Sequence, residues 1–545
     1  MTTVQAGIRN FGKRVAGGLR RRLLSRLGEV PLSPRDRSIV EALGKSGLPS
    51  VLGVSENDYR FLREKVHLTD EDIAGYFING LLHGGTFFHF YPQIAAQLLN
   101  SGYPREAVRY YEKFLGTVDD IEVHFQYLNA CLLDPDSTNE SLLEMAKGFA
   151  RLYGVPEELP AAPQNDPDPD RLLKIGFICG FFDSSVMKDG ILPTIKGRDP
   201  AACKTYCYSD GPIPQDFVDA PDHWRETGSL SDMELFNLIR RDGIDILRDL
   251  DGPTGQNRLE VFRMRPAPIA IHGANYRGTS GLSCYDWVLA SEYSLRPGEE
   301  EFLVENVCRG DPFYGASING FIDSDRFPAC PPPPCIERNY VTFGYFGGAH
   351  KLNADIFCLW ADIFRALPNA RLVLKASGYS IPRIRTSILT LAADSGMDTN
   401  RIDLQEPSDF DAYIREYAKV DIILDTLPHS GGANIVEALW MGRPVISMYG
   451  NRWSSRTGAD YLRLLGREEL IAHNPAEYAE LAISLATDQA RIAALTDCLR
   501  TQFASSALAD VENYNKTLEN GYREMWSDWC RRQAPAQSID DGQTR

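Results

Sequence analysis

The chain of 545 residues predicts an α/β protein, two doubly wound parallel-sheet lobes preceded by an all-α cap. Three observations carry this expectation. Apolar residues recur with helical spacing from about 36 to 157. A proline-rich break then leads into short β-branched or aromatic runs that alternate with helical stretches. A second break, Pro328-Ala-Cys-Pro-Pro-Pro-Pro-Cys335, is followed by a restart of that alternation. The divisions expected are a basic amphipathic segment 1–35, an all-α domain 36–157, a linker 158–170, a first lobe 171–335, a second lobe with closing helices 336–527, and a tail 528–545.

Within the all-α region, 96–115 reads as helix, tight turn, helix, with Gly102 and Pro104 at the turn, in the manner of a degenerate tetratricopeptide-type hairpin. No second copy recurs at a fixed period, so a short cap is expected rather than an array. Another helical stripe covers 121–133, and a weaker one runs through Ile39, Leu43 and Leu48. Pro160, Pro163, Pro167 and Pro169 each remove a backbone donor, which makes the segment around them a linker. Strands are expected at 173–179, 205–208, 244–247, 269–273 and 287–290, then at 341–345, 370–375, 402–405, 422–424 and 444–447. The segment 475–527 is helical again.

Hydrophobic residues at 43% and charged residues at 24% allow large cores. A net charge of −17 argues against broad nucleic-acid binding, which needs many phosphates neutralised by Lys and Arg. Any anion must be held by a local basic site. The eleven cysteines include no CxxC pair and suit reduced thiols in a cytoplasm. The close pairs Cys203/Cys207 and Cys330/Cys335 lack the further ligands of a zinc site, so no metal is expected. No stretch approaches the roughly 20 apolar residues that span a bilayer, and no secretory signal is recognisable. Residues 1–34 nevertheless carry seven Lys and Arg against Glu29 alone, with Phe11, Val15, Leu19, Leu23 and Leu27 along one helical face. Such a helix suits the anionic inner face of a membrane, giving a peripheral cytoplasmic protein; a frayed cationic tail is the alternative.

Three stretches carry candidate chemistry. The strongest is 422–447, which reads as strand, glycine-bearing turn, helix, strand. Its Ser430, Gly431 and Gly432 would expose backbone N–H groups at the start of a helix bearing Ala433 and Asn434, which suits a phosphate. Glu437, one turn in, is placed to accept from ribose hydroxyls; the alternative is an ordinary βα turn with Glu437 solvated. In 341–353 a strand runs into Gly347-Gly348 and then Lys351, placed to neutralise a diphosphate. In 265–281 a short strand ends in a polar loop offering Asn275, Arg277, Thr279 and Ser280 to substrate hydroxyls or backbone. Asp251 to Arg258 forms another strand-end loop, and either loop could equally be structural.

In their order, Arg265-Pro-Ala-Pro268, Asn275-Tyr-Arg-Gly-Thr-Ser-Gly281, the 344–351 loop, Val420-Asp-Ile-Ile-Leu-Asp-Thr426, Glu437-Ala-Leu-Trp-Met-Gly442 and Ser455-Arg-Thr-Gly-Ala459 resemble glycosyltransferase family 41, the group of O-GlcNAc transferase and SPINDLY. The resemblance covers about 171–527 and extends to the helical cap. It implies a GT-B pair of Rossmann-like lobes that inverts the anomeric centre, takes a nucleotide-diphosphate sugar as co-substrate without metal or other cofactor, and modifies protein side chains. Lys351 matches the pyrophosphate-binding lysine, Glu437 the ribose-binding acid, and Gly431 to Asn434 the loop and helix start at the diphosphate. His429 stands beside that loop at a strand end.

The chain also departs from the family pattern. The loop in 175–190 lacks the usual histidine and offers Ser185 and Asp189; Pro253-Thr254 stands where His-Thr is common, and Tyr413 where a histidine helps seat the base. Asp189 or Asp183 is then the candidate base for the acceptor proton, and uridine is the favoured nucleotide base, with guanosine the alternative. The expected partners are the sugar nucleotide and a protein acceptor such as a surface appendage subunit. Rival readings are a glycan or lipid-linked acceptor, or a sugar-nucleotide-binding scaffold without transfer.

Overall fold

The computed structural model describes residues 56–69, 72–73, 76, 90–154, 160–184, 187–252, 257–272, 276–310 and 331–533. The basic segment 1–35 and the weak stripe at 39–48 lie outside these residues. The chain forms two compact units, one of Ser137–Asn339 with Phe410–Arg545, the other of Met1–Asp136 with Tyr340–Asp409.

The larger unit contains a wholly parallel seven-stranded sheet. Its strands are β1 (Leu173–Cys179), β2 (Cys203–Ser209), β3 (His223–Glu226), β4 (Ile246–Asp249), β5 (Ile269–His272), β6 (Trp287–Ala290) and β7 (Asn306–Arg309), in the order β3-β2-β1-β4-β5-β6-β7. The order reverses between β1 and β4, and in such sheets ligands gather outside the strand carboxyl ends at that switch. Strand β4 begins two residues later than expected. Asp245 is fully buried and accepts from the Lys174 N–H at 2.8 Å, which ties the approach to β4 against β1 before pairing starts. The edge strands β3 and β7 have no continuous apolar run, since neither buries more than one residue.

The final helix, Val511–Gln533, was expected to close the second lobe. It instead lays Tyr514, Leu518, Tyr522 and Trp526 into the core of the first sheet, beside Phe177, Ile246 and Ile269. The helix Asn139–Tyr153 approaches so closely that a Cβ on Gly281 would meet the Ala146 carbonyl oxygen, which accounts for that glycine and its φ of +74°.

The smaller unit carries the helical hairpin Phe90–Asn100 and Pro104–Leu115, then Ile121–Leu133. Gly102 makes the turn at φ +86°, and Pro104 opens the second helix where its missing N–H costs nothing. Arg105 holds Asp136 at 2.8 Å and Asp355 at 2.9 Å, and Ser387 donates to the Val66 carbonyl at 3.0 Å. The strands here are β8 (Thr342–Phe346), β9 (Arg371–Lys375) and β10 (Ile402–Gln405), in the order β10-β9-β8. The larger unit also contains the parallel run β11 (Ile422–Leu424), β12 (Val445–Met448) and β13 (Ile471–Ala472). Strand β13 has only two residues, too short for its own periodicity.

In the larger unit a fully buried arginine joins the loop after β12 to the segment after β6. Arg456 grips Glu299 with both terminal nitrogens, at 2.5 and 2.8 Å, and donates to the Ser294 and Gly450 carbonyls. Burial alone would raise Glu299, but Arg456 and Arg296 hold its carboxyl below the usual range. Removing one member of such a pair leaves a charge buried alone. Glu299→Leu is therefore expected to cost about 3–5 kcal/mol in urea unfolding, and Glu299→Leu with Arg456→Met clearly less; equal losses would contradict this role.

Candidate active site

The β11-to-helix connection is organised by one carboxylate. Asp425 follows β11, is 3% exposed, and takes two hydrogen bonds on each oxygen. Oδ1 accepts from the N–H groups of Thr426 at 2.8 Å and Gly431 at 2.7 Å. Oδ2 accepts from the hydroxyls of Ser430 and Ser447, both at 2.6 Å. Burial pushes this carboxyl upward against those four donors. The Ser430 hydroxyl in turn accepts from the Gly458 N–H at 2.8 Å. A Cβ on Gly458 would stand 2.5 Å from Asp425 Oδ2, so only glycine fits there.

The loop thus held delivers the helix Ala433–Trp440. Gly431 is needed because a Cβ would run into Asn434 and Ile435, whereas Gly432 faces open space. Asn434 Oδ1 accepts from the Gly432 N–H at 3.0 Å, and His429 packs Nδ1 at 3.0 Å from the Ser430 carbonyl. The helix start carries the positive end of its peptide dipoles, which favours an anion there.

Glu437 lies one turn further and is 7% exposed. Its Oε2 accepts from Tyr413 at 2.8 Å and from Tyr417 at 3.2 Å, and the two phenols are 3.1 Å apart. Tyr417 also donates to the Asn434 carbonyl at 3.0 Å. The structure therefore brings together Tyr413, Asn434 and Glu437, three residues singled out separately in the sequence. Asp425, Tyr417, Ser447 and Gly458 were missed as site residues; the buried carboxylate inside Val420-Asp-Ile-Ile-Leu-Asp-Thr426 was the available signal.

Lys351 belongs to the smaller unit, in the turn Ala349–Lys351 that follows β8. The Tyr345 hydroxyl donates to the Gly348 carbonyl at 3.1 Å and fixes the turn. A Cβ on Gly347 would meet that hydroxyl, and one on Gly348 would meet the His350 ring. Burial, ahead of the Lys351 charge, pushes His350 down to about 4, which leaves its ring neutral at pH 7.

In the first lobe the polar loop divides. Arg277 donates to the Thr457 hydroxyl, at the first residue of the helix Thr457–Leu464. Thr279 and Ser280 are 4% and 1% exposed and both engage Glu305, Thr279 Oγ1 at 2.7 Å and the Ser280 N–H at 2.8 Å. Their hydroxyls hold the loop together. Asn275, Ser185 and the Pro253-Thr254 pair lie outside the described residues. Asp189 falls in the turn Met187–Ile191, with its side chain outside the description, and Asp183 is exposed.

A carboxyl that the sequence did not mark as a base stands at the ends of β1 and β4. Asp251 accepts from the Gly180 N–H at 2.8 Å and from the Cys179 thiol at 3.2 Å. Asp249, which orients it through the Asp251 N–H at 3.0 Å, accepts from Tyr285 at 2.6 Å. Burial first, then the Asp249 charge, raises Asp251 to about 6.

The family model described as Glycosyl transferase family 41 matches residues 162–297 and 336–518. The chain belongs to that family. It is similar to the probable UDP-N-acetylglucosamine–peptide N-acetylglucosaminyltransferases SPINDLY of Hordeum vulgare, 29% identical over 412 residues, and of Oryza sativa subsp. japonica, 30% identical over 440. Those matches cover 74% and 75% of this chain but 43% and 47% of the relatives, so the chain spans under half their length. Among solved structures, a mutant O-GlcNAc transferase of Thermobaculum terrenum superposes with a TM-score of 0.77 at 26% identity, over 98% of this chain and all of that one. The pair of parallel sheets is accordingly the GT-B arrangement of this family 41 protein.

The Asp251 shift has a consequence for stability. Its folded pKa lies above the unfolded value, so it stabilises the fold below about pH 4, and that contribution is lost as pH rises through about 6. In Asp251→Asn the loss is absent. The melting temperature of the variant relative to the parent is expected to rise between pH 4.5 and 7.5, and a pH-independent difference would contradict the shift.

Proposed function

We propose that this family 41 protein is an inverting, metal-independent glycosyltransferase that moves a sugar from a UDP-sugar to a protein side chain. The observation that carries the reading is the Asp425-held loop and helix start with Glu437 one turn beyond, clamped by Tyr413 and Tyr417. The names of the SPINDLY relatives, probable UDP-N-acetylglucosamine–peptide N-acetylglucosaminyltransferases, support both donor and acceptor class. The helical hairpin would serve as the tetratricopeptide-like part on the acceptor side, 171–335 as the acceptor lobe and 336–527 as the donor lobe.

In this reading Gly431, Gly432, Ala433 and Asn434 present backbone N–H groups to the diphosphate, with His429 and Ser430 shaping the loop. Glu437 takes the ribose hydroxyls, and Tyr413 lies against the base. Negative charge grows on the diphosphate as the glycosidic bond breaks, so Lys351 stabilises the transition state more than the bound donor. The acceptor atom attacks the anomeric carbon from the opposite face and the UDP leaves, which inverts the centre. Asp189 would take the acceptor proton. Asp251 is a second candidate because its titration near 6 suits a base at neutral pH. Arg277 and Asn275 would contact the acceptor, while Thr279 and Ser280 act through the loop they stabilise.

In this reading the protein works in the cytoplasm, with residues 1–34 as a peripheral membrane contact near an acceptor such as a surface appendage subunit. The assay is intact-mass detection of sugar transfer from UDP-N-acetylglucosamine to a co-expressed acceptor. Transfer is expected to survive chelation, and Lys351→Ala is expected to lower kcat by about 10²-fold or more. Glu437→Gln should act mainly on donor KM. Undiminished turnover in Lys351→Ala, or abolition by chelator, would overturn the reading.

A further inference from the structure

The larger unit contains a buried cation that rests on a phenol rather than on a carboxylate. Arg248 sits on β4 and is 6% exposed, on the side of the sheet covered by the final helix. Its Nη1 donates to the Tyr522 hydroxyl at 2.9 Å, and its guanidinium lies 5.6 Å from the Phe177 ring centre. Among the described residues no carboxylate pairs with it. A guanidinium does not shed its proton at any physiological pH, so burial cannot neutralise it as it would a lysine. Buried charges are otherwise paired.

Further donor-bearing side chains line one cavity with it. Arg248, Arg198, Asn515 and Tyr522 line a cavity of about 20 Å³ between the sheet and the final helix. Asn515 is 5% exposed and among the described residues its Nδ2 has no partner, nor does Arg198 Nε, although the Arg198 terminal nitrogens reach Asp222 at 2.7 Å and nearby carbonyls. With its oxygen accepting from Arg248, Tyr522 keeps its own proton for another acceptor. Glu519 is the one acid in the lining; its Oε1 accepts from the Asp199 N–H at 2.8 Å, and burial raises its carboxyl. The space suits one atom-sized occupant; with the Arg198 charge met by Asp222, the Arg248 guanidinium and the neutral donors of Asn515 and Tyr522 call for an acceptor that carries negative charge.

We propose that Arg248, Asn515 and Tyr522 form a buried site for a small monovalent anion of chloride size, which pins the final helix to the first sheet. The site lies in the core of the first sheet and is separate from the donor-binding loop, so it makes the stability of this lobe depend on halide rather than on nucleotide. A halide binding only the folded state raises the melting temperature in a saturable way.

The full chain should be melted in increasing chloride, with gluconate holding ionic strength constant, alongside Arg248→Met and Asn515→Leu. The expected result is a saturable rise of about 2–4 °C for the parent, a smaller rise for Asn515→Leu and none for Arg248→Met. Crystals of the parent soaked in bromide should give an anomalous peak within hydrogen-bond reach of Arg248, a readout that survives if Arg248→Met fails to fold. Identical melting in chloride and gluconate, an equal rise in Arg248→Met, or only water at the bromide position would overturn the proposal.

Discussion

Asp425 is the constraint on which the candidate site depends. A carboxylate at a strand end, cut off from water, must find its hydrogen bonds within the protein, and here they come from four residues in two separate stretches, the 426–431 loop and β12. Satisfying it folds the 426–431 loop back on itself, joins that loop to β12 through Ser447, and brings the start of the helix Thr457–Leu464 in through Ser430 and Gly458. Close packing around one carboxylate then dictates small residues. Gly431 and Gly458 are glycines for steric reasons, with Cβ contacts of 2.7 Å or less awaiting any side chain.

Everything proposed for the nucleotide is downstream of that arrangement. The helix Ala433–Trp440 points its first N–H groups where the loop leaves them, and Glu437 is fixed by two phenols from the preceding helical segment. Tyr417 is the hinge of the pair, since it also caps the Asn434 carbonyl and so couples the helix start to the acid one turn later. Lys351 is set by a similar device, a glycine pair pressed against Tyr345 and a histidine that burial keeps neutral.

Much of this was legible in the amino-acid order, and the gaps have physical causes. The β11-turn-helix unit could be read because glycines, a strand and an amphipathic helix fall within twenty residues. Strands β3, β7 and β13 could not, being short and at edges or nearly without residues of their own. The destination of the final helix was hidden for another reason. Its apolar stripe shows that it packs but not against what, and its partners Phe177 and Ile246 lie hundreds of residues earlier. Thr279 and Ser280 looked like ligand-binding hydroxyls because their partner Glu305 is twenty-five residues away in sequence. Likewise Arg248 falls one residue past the expected strand 244–247 and Asp251 opens the loop after it, and only burial shows one to be a core cation and the other a carboxyl with raised pKa.

The buried Asp425 carboxylate builds the proposed nucleotide-binding loop. Calorimetric titration of UDP into Asp425→Asn, with circular dichroism on the same preparation, tests it most directly. An amide keeps the size of the side chain but places a donor against the Ser430 and Ser447 hydroxyls or the Gly431 N–H. The variant is expected to fold and to bind UDP about tenfold or more weakly, because a charged hydrogen-bond acceptor is lost at the base of the site. A folded variant that binds UDP as tightly as the parent would contradict it.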